Sequence, residues 1–181
     1  MAEKYRILEG PAFARRLFES TQFAWLWAIL RVYLGYQWLT AGWGKLGKPA
    51  WMQGGAALKG YWTNAVKIPE TGKPAITYDW YRAFLQSLLE AEAYTWFAPL
   101  IVYAEIIVGI ALIVGLLTGF AAFGGGLMNF SFMLAGTASS NPVLFLIAVL
   151  LILAWKVAGY WGLDRWVLHR VGTPWRQAGS G

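Results

Sequence analysis

Four long apolar runs, separated by polar or turn-forming segments, set the pattern of this chain. The first runs from about Phe23 to Ala41, with Trp and Tyr at both ends, and Gly42-Trp43-Gly44-Lys45 closes it. The second covers about Tyr94 to Leu117 and ends at the tight turn Gly115–Gly119. The third, Phe120 to Gly136, is rich in glycine, and the turn residues Thr137–Pro142 interrupt the pattern before the fourth, Val143 to about Trp161. No Asp, Glu, Lys, Arg or His occurs from Ile106 to Trp155. One membrane crossing takes roughly 20 apolar residues, so that uncharged stretch is long enough for about two crossings with turns inside it.

Between the first and second runs the pattern changes. Residues 46–78 read as a loop of Gly, Pro, Lys and aromatic residues, and Asp79–Glu92 reads as a helix that Asp79 caps. In it Trp80, Tyr81, Phe84, Leu85, Leu88 and Leu89 recur at helical spacing and form one apolar face. This helix is expected on the membrane surface or over the mouth of a bundle. A second amphipathic stretch, Ala12–Glu19, places Phe13, Leu17 and Phe18 toward lipid and Arg15 and Arg16 toward headgroups. The expected architecture is all-α: a single membrane domain over 1–181, a four-helix bundle with spans near 23–41, 94–117, 120–136 and 143–161. A loop with an interfacial helix occupies 42–93.

Composition agrees. The chain is 58% hydrophobic and 13% charged, whereas soluble domains carry about 25% charged residues. Met1–Ser20 holds Lys4, Arg6, Arg15, Arg16 and three glutamates without a long apolar core, so the first span is expected to act as an uncleaved signal anchor. Four spans put both termini on one side. Basic residues in the N-terminal tail and at Arg165, Arg170 and Arg176, against six in the long loop, favour cytoplasmic termini only slightly. The expected location is a prokaryotic cytoplasmic (inner) membrane. The net charge of +6 sits in basic residues that flank apolar segments, which points to lipid headgroups and not to nucleic acid.

With no cysteine, thiol exchange, iron–sulfur clusters and thiolate metal sites are excluded within the chain, and the single histidine, His169, cannot form a bis-histidine haem site. No metal-ligand spacing, phosphate loop, dinucleotide fingerprint or nucleophile triad is present. What remains is polarity inside the apolar runs: Arg31, Glu105, Asn129 and Lys156. Such residues are costly in lipid, and they pair or mark function. At ~1.5 Å rise per residue Arg31, Glu105 and Asn129 fall at similar depth, which predicts an Arg31–Glu105 ion pair bridged by Asn129. Small residues at four-residue spacing put these groups toward the bundle interior. Two readings stand side by side: a clamp that fixes helix register, and a pocket for a quinone headgroup or a proton path. Lys156 is expected to snorkel to headgroups, and Asp164-Arg165 to cap and anchor. Trp38, Trp43 and Trp51 are candidates for a flat aromatic wall, although an interfacial aromatic belt accounts for most of the tryptophans.

Leu30-Arg31, Gly35, Trp38, Gly42 and Lys45-Leu46, then Glu105, Gly109 and Gly115–Thr118, and finally Gly159, Gly162 and Asp164 together resemble the DoxX/DoxD family. The resemblance implies a four-helix membrane bundle. Its DoxD-like branch is similar to the membrane subunit of thiosulfate:quinone oxidoreductase, which passes electrons from a sulfur compound to quinone. It carries no agreed catalytic set. The expected function is a membrane subunit of a quinone-linked redox complex, with quinone as the cofactor and other subunits or further copies of the chain as partners. The alternative is a structural or accessory subunit without catalysis of its own. A small transporter ranks last, because the two halves show no clear inverted repeat.

Overall fold

The computed structural model describes residues 10–171, the side chain of Val171 excepted; Lys4, Arg6 and Arg176 of the topology argument lie outside them. Among the described residues all regular structure is helical: α1 (Ala12–Glu19), α2 (Ala24–Leu46), α3 (Pro49–Met52), α4 (Ala56–Val66), α5 (Asp79–Glu90), α6 (Tyr94–Val114), α7 (Thr118–Leu134), α8 (Asn141–Leu153), α9 (Trp155–Ala158) and α10 (Asp164–Val171).

The long helices α2, α6, α7 and α8 run up and down in turn, and α2 packs chiefly on α6 while α7 packs chiefly on α8. Glycine explains the first pairing. A Cβ on Gly109 would stand 2.5 Å from the Leu39 nitrogen, and one on Gly35 would stand 2.8 Å from the Gly109 carbonyl oxygen. The two backbones therefore touch, as small residues permit where no hydrophobic gain drives apolar helices together. The same contact corrects the first predicted boundary. Gly42 and Gly44 do not close the first helix, which continues to Leu46. Gly42 faces Glu105 and Ile106 of α6 at contact distance, so its small size serves packing and not a turn.

Other boundaries also shift. The segment 46–78 contains the helices α3 and α4, expected as loop. The fourth predicted run begins earlier, at Asn141, with Pro142 in the first turn where its missing N–H is no loss. It breaks after Leu153, and α9 follows after Ala154. Asp79 does not cap α5; it sits in the first turn and pairs with Arg82.

Two cores result. The lower one gathers Trp27, Leu34, Trp38, Leu112, Ala122, Ala148 and Leu151 from the four long helices. The upper one joins α4 and α5 to the adjoining ends of α6 and α7 through Leu58, Trp62, Ile76, Tyr81, Leu85 and Tyr94. The helix α5 thus covers one end of the bundle. Tyr81 and Leu85 face inward, while Trp80 and Phe84 from the predicted apolar face are exposed. At the opposite end α1 docks on the bundle, with Trp27 Nε1 donating to the Leu17 carbonyl at 2.9 Å and Phe18 stacked on Trp27. Leu17 and Phe18 pack on the core, so of the three predicted lipid-facing residues only Phe13 points outward. Lys156 pairs with Glu19 of α1 at 2.7 Å.

The outward faces of the long helices are apolar. Ile29, Val32 and Tyr36 on α2, Tyr103, Ile107 and Ile110 on α6, Phe120, Phe123 and Leu127 on α7, and Val143 and Leu146 on α8 are all exposed. Among the described helices α6 alone is long and apolar enough by itself to cross a membrane, with mean hydropathy 2.5. The others miss that standard for visible reasons: α2 carries Arg31 and Lys45, α7 is 17 residues long and rich in glycine, and α8 stops after 13.

Gly109→Leu pushes a branched side chain into the α2 backbone. Overpacking of this kind costs about 1–3 kcal/mol, and for a chain of this size the expected fall in Tm is roughly 2–12 °C. Thermal unfolding in detergent measures it, with Gly60→Ala, where a Cβ meets open space, as the control that shows no fall.

Candidate functional site

Arg31 and Glu105 are both buried, at 2% and 1% exposure, yet they do not pair. The Arg31 guanidinium donates to the carbonyls of Leu112, Ile113 (2.9 Å) and Trp161 (3.3 Å), and its electrostatic partner is Asp164. The last carbonyls of a helix have no partner within it, and they carry the negative end of its dipole. At the end of α6 each of them is met. Gly115 and Leu116 donate to the Ala111 carbonyl, Arg31 takes Leu112 and Ile113, and Leu163 donates to Val114. Gly115 turns the chain here at φ +70°, and a Cβ on it would strike the Arg31 guanidinium. Asp164 does the converse for α7, accepting from the backbone N–H groups of Leu117 and Thr118 (2.9 Å for the latter). Arg31 and Asp164 therefore tie α2, α6, α7 and the α9–α10 segment together at one end of the bundle. The predicted ion pair fails because Arg31 is drawn to the α6 terminus. Glu105 lies seven residues earlier, ~10 Å along the helix axis.

Glu105 has another partner. Because α2 continues past Gly42, Lys45 stands on the same face as Trp38, two helical turns on, and its ammonium donates to Glu105 Oε1. The same ammonium lies 4.8 Å from the centre of the Trp51 ring, a cation–π distance. Glu105 and Lys45 form one wall of a cavity of about 360 Å³ between the α2–α6 and α7–α8 pairs, at the end covered by α3 and α4. Trp38, Trp51, Tyr61, Asn129, Phe132 and Leu144 also line it, with the polar rim Thr137, Ser139, Ser140 and Asn141. Of the predicted aromatic wall Trp38 and Trp51 are present; Trp43 is 69% exposed and points outward, on the opposite face of α2. Asn129 lines the same cavity as Glu105, and Arg31 does not.

Four buried polar atoms at this cavity have no partner among the described residues: Trp38 Nε1, Glu105 Oε2, and both Oδ1 and Nδ2 of Asn129. Buried polar groups are nearly always paired, and each exception asks for an explanation. The local fold puts them there. Gly125 lies one turn before Asn129 on α7, and a Cβ at Gly125 would stand 2.6 Å from Trp38 Nε1. The missing side chain lets the indole of α2 lie against α7 with its N–H close to the asparagine turn. At the rim Tyr61 shares a hydrogen bond with Thr137 at 2.8 Å, and Asn141 Nδ2 donates to the Thr137 carbonyl at 3.0 Å. Burial pushes the Tyr61 phenol above its ordinary pKa, partly opposed by the hydrogen bond with Thr137.

A family model for DoxX matches residues 26–138, which contain α6 and α7 and all but the first two residues of α2. The chain belongs to the DoxX family. Proteins of this family are membrane proteins, and the exposed apolar faces of the long helices agree with that. Every one of Arg31, Trp38, Lys45, Glu105 and Asn129 falls within the DoxX match, whereas Gly159, Gly162 and Asp164, which joined the sequence resemblance, lie beyond it. Comparison with curated proteins and with solved structures gave no match.

Sequence reasoning missed Lys45, Tyr61 and Thr137 as cavity residues. For Lys45 a signal was available: Arg31, Trp38 and Lys45 recur every seven residues, one face of a single helix. Tyr61 and Thr137 come from segments read as loop, where no periodicity marks a direction.

Double-mutant cycles on stability separate the two pairings. Arg31→Met with Glu105→Gln is expected to be additive within about 0.5 kcal/mol, whereas Lys45→Met with Glu105→Gln shows a coupling of roughly 0.5–3 kcal/mol. Strong coupling in the first cycle would contradict the geometry described above.

Proposed function

We propose that this DoxX protein is the four-span membrane subunit of a quinone-linked redox complex, and that its cavity holds the ring headgroup of a quinone. The observation that carries the reading is the set of four unpartnered polar atoms around a cavity flanked by two indoles. Leaving a buried donor or acceptor unmet costs about 1–3 kcal/mol each, and a ligand that meets them recovers that cost. A quinone carbonyl accepts from the Trp38 N–H and from Asn129 Nδ2, and the rings of Trp38 and Trp51 offer flat surfaces to a flat ligand. The Lys45–Glu105 pair stands at the cavity as a store of exchangeable protons. The volume of about 360 Å³ falls within the roughly 300–1,000 Å³ typical of small-molecule sites.

In this reading α2, α6, α7 and α8 with α9 cross the cytoplasmic membrane, the termini face the cytoplasm, and α3–α5 cap the outer side. The chain has no cysteine, so the electron donor is held by a partner subunit. Thiosulfate is the donor in the DoxD-like form of the proposal. An accessory role without catalysis is the second reading. The observation that favours it is the exposed aromatic strip of Tyr78, Trp80 and Phe84 beside α5, a surface suited to a partner subunit.

Purification from native membrane in mild detergent, followed by solvent extraction, is expected to yield protein-bound quinone, with thiosulfate-dependent quinone reduction by the intact complex. Asn129→Leu combined with Trp38→Phe should lower the quinone content about tenfold or more, since two lost hydrogen bonds exceed the ~1.4 kcal/mol of one decade. Arg31→Lys lies outside the cavity and should leave the quinone content per folded protein unchanged. Stoichiometric partners with no bound quinone would favour the accessory role instead.

A further inference from the structure

The four free atoms differ in kind, and the difference bears on which redox form the cavity takes. Trp38 Nε1 carries a proton and only donates. Asn129 offers a donor at Nδ2 and an acceptor at Oδ1. Glu105 is held at Oε1 by the Lys45 ammonium. A carboxylate paired in this way has Oε2 left as an acceptor with no partner. The side chains lining the cavity thus hold two unpartnered donors and two unpartnered acceptors, one of the acceptors charged in the ion pair with Lys45.

An oxidised quinone has only acceptor oxygens. It answers Trp38 and Asn129 Nδ2, but it leaves Glu105 Oε2 and Asn129 Oδ1 without a proton, and its carbonyl lone pairs are repelled by the carboxylate. A quinol carries hydroxyl groups that both donate and accept. Its O–H groups reach the two acceptors while its oxygens still receive the indole and amide protons. The bond to Glu105 Oε2 is charge-assisted, which roughly doubles its strength over a neutral one. A site built to pair with a hydroxyl discriminates strongly against the analogue that lacks it, because its own buried groups are then left unmet.

We infer that the cavity is a quinol site: it binds the reduced, dihydroxy form of its ring ligand in preference to the oxidised form, with Glu105 as the group that selects. The inference rests on the quinone-linked reading and goes further than it, since that reading holds for either form. The reaction class that supplies this ligand is a quinone reduction, and the one that consumes it is a quinol oxidation.

The test uses the full chain in lipid nanodiscs, with decylubiquinol and decylubiquinone titrated separately by calorimetry under anaerobic conditions. Wild type is expected to bind decylubiquinol at least about tenfold more tightly than decylubiquinone. In Glu105→Gln the carboxylate becomes an amide that can donate to a carbonyl, and the ratio should fall to about one or reverse. Trp38→Phe removes a donor that both forms use, so both should bind more weakly while the ratio persists. Equal affinities in wild type, or tighter binding of decylubiquinone, would overturn the inference and leave the quinone-linked reading standing. Binding of neither form to folded wild-type protein would overturn that reading as well. If Glu105→Gln fails to fold, the wild-type ratio together with its persistence in Trp38→Phe still decides the matter.

Discussion

A polar group removed from water must find a partner, and that constraint organises this molecule. In an apolar bundle the backbone meets it by forming helices, which leaves only the helix ends and the few polar side chains to be satisfied. At one end of the bundle the backbone of the helix ends is met, although Arg31 Nε and Thr118 Oγ1 keep no partner among the described residues. Arg31 covers the last carbonyls of α6, and Asp164 receives the first amides of α7. Each charge is opposite the helix dipole it meets. These two residues, remote in sequence, turn four helix ends into one joint.

At the other end the solution is left open. Lys45 and Glu105 satisfy each other in part, and Asn129 and Trp38 carry buried atoms that nothing among the described residues meets. The contrast is between helix ends joined by charge and a cavity lined by unpartnered polar atoms. It also divides a cluster that equal depth alone had suggested. Arg31 belongs to the joint; Glu105 and Asn129 belong to the cavity. Counting residues from a span end gives height along the axis, but a long side chain such as arginine reaches several ångströms up or down to the strongest available acceptors.

Packing makes the open end possible. Where Gly35, Gly42 and Gly109 meet, α2 and α6 lie in backbone contact, and α7 packs on α8 through side chains, with Gly126 against Ala148. Two tight pairs leave space between them, and the helices α3 and α4 bring Trp51 and Tyr61 to its mouth. The cap has its own core, so it holds the cavity wall without filling the cavity. A ligand entering this space meets rigid aromatic faces and a small number of fixed polar atoms, the arrangement that favours selection by hydrogen-bond pattern over selection by size.

By itself the sequence determined the helical class, the existence and order of the four long apolar segments, and the amphipathic helices Ala12–Glu19 and Asp79–Glu92, the second of which ends at Glu90 in the structure. These follow from composition and from periodicity, which are local properties of the chain. It also marked Arg31, Glu105 and Asn129 as residues out of place in an apolar setting. The tertiary structure alone decided their partners, because a partner depends on which helices touch and in what register. Gly42 and Gly44 read as a stop in one dimension, yet α2 runs on through both, with Gly42 against α6, and carries Lys45 to Glu105. Tyr61 and Thr137 had no pattern to place them until a cap folded over the bundle. Local spacing records which face of a helix is apolar; only the packed bundle fixes what that face meets.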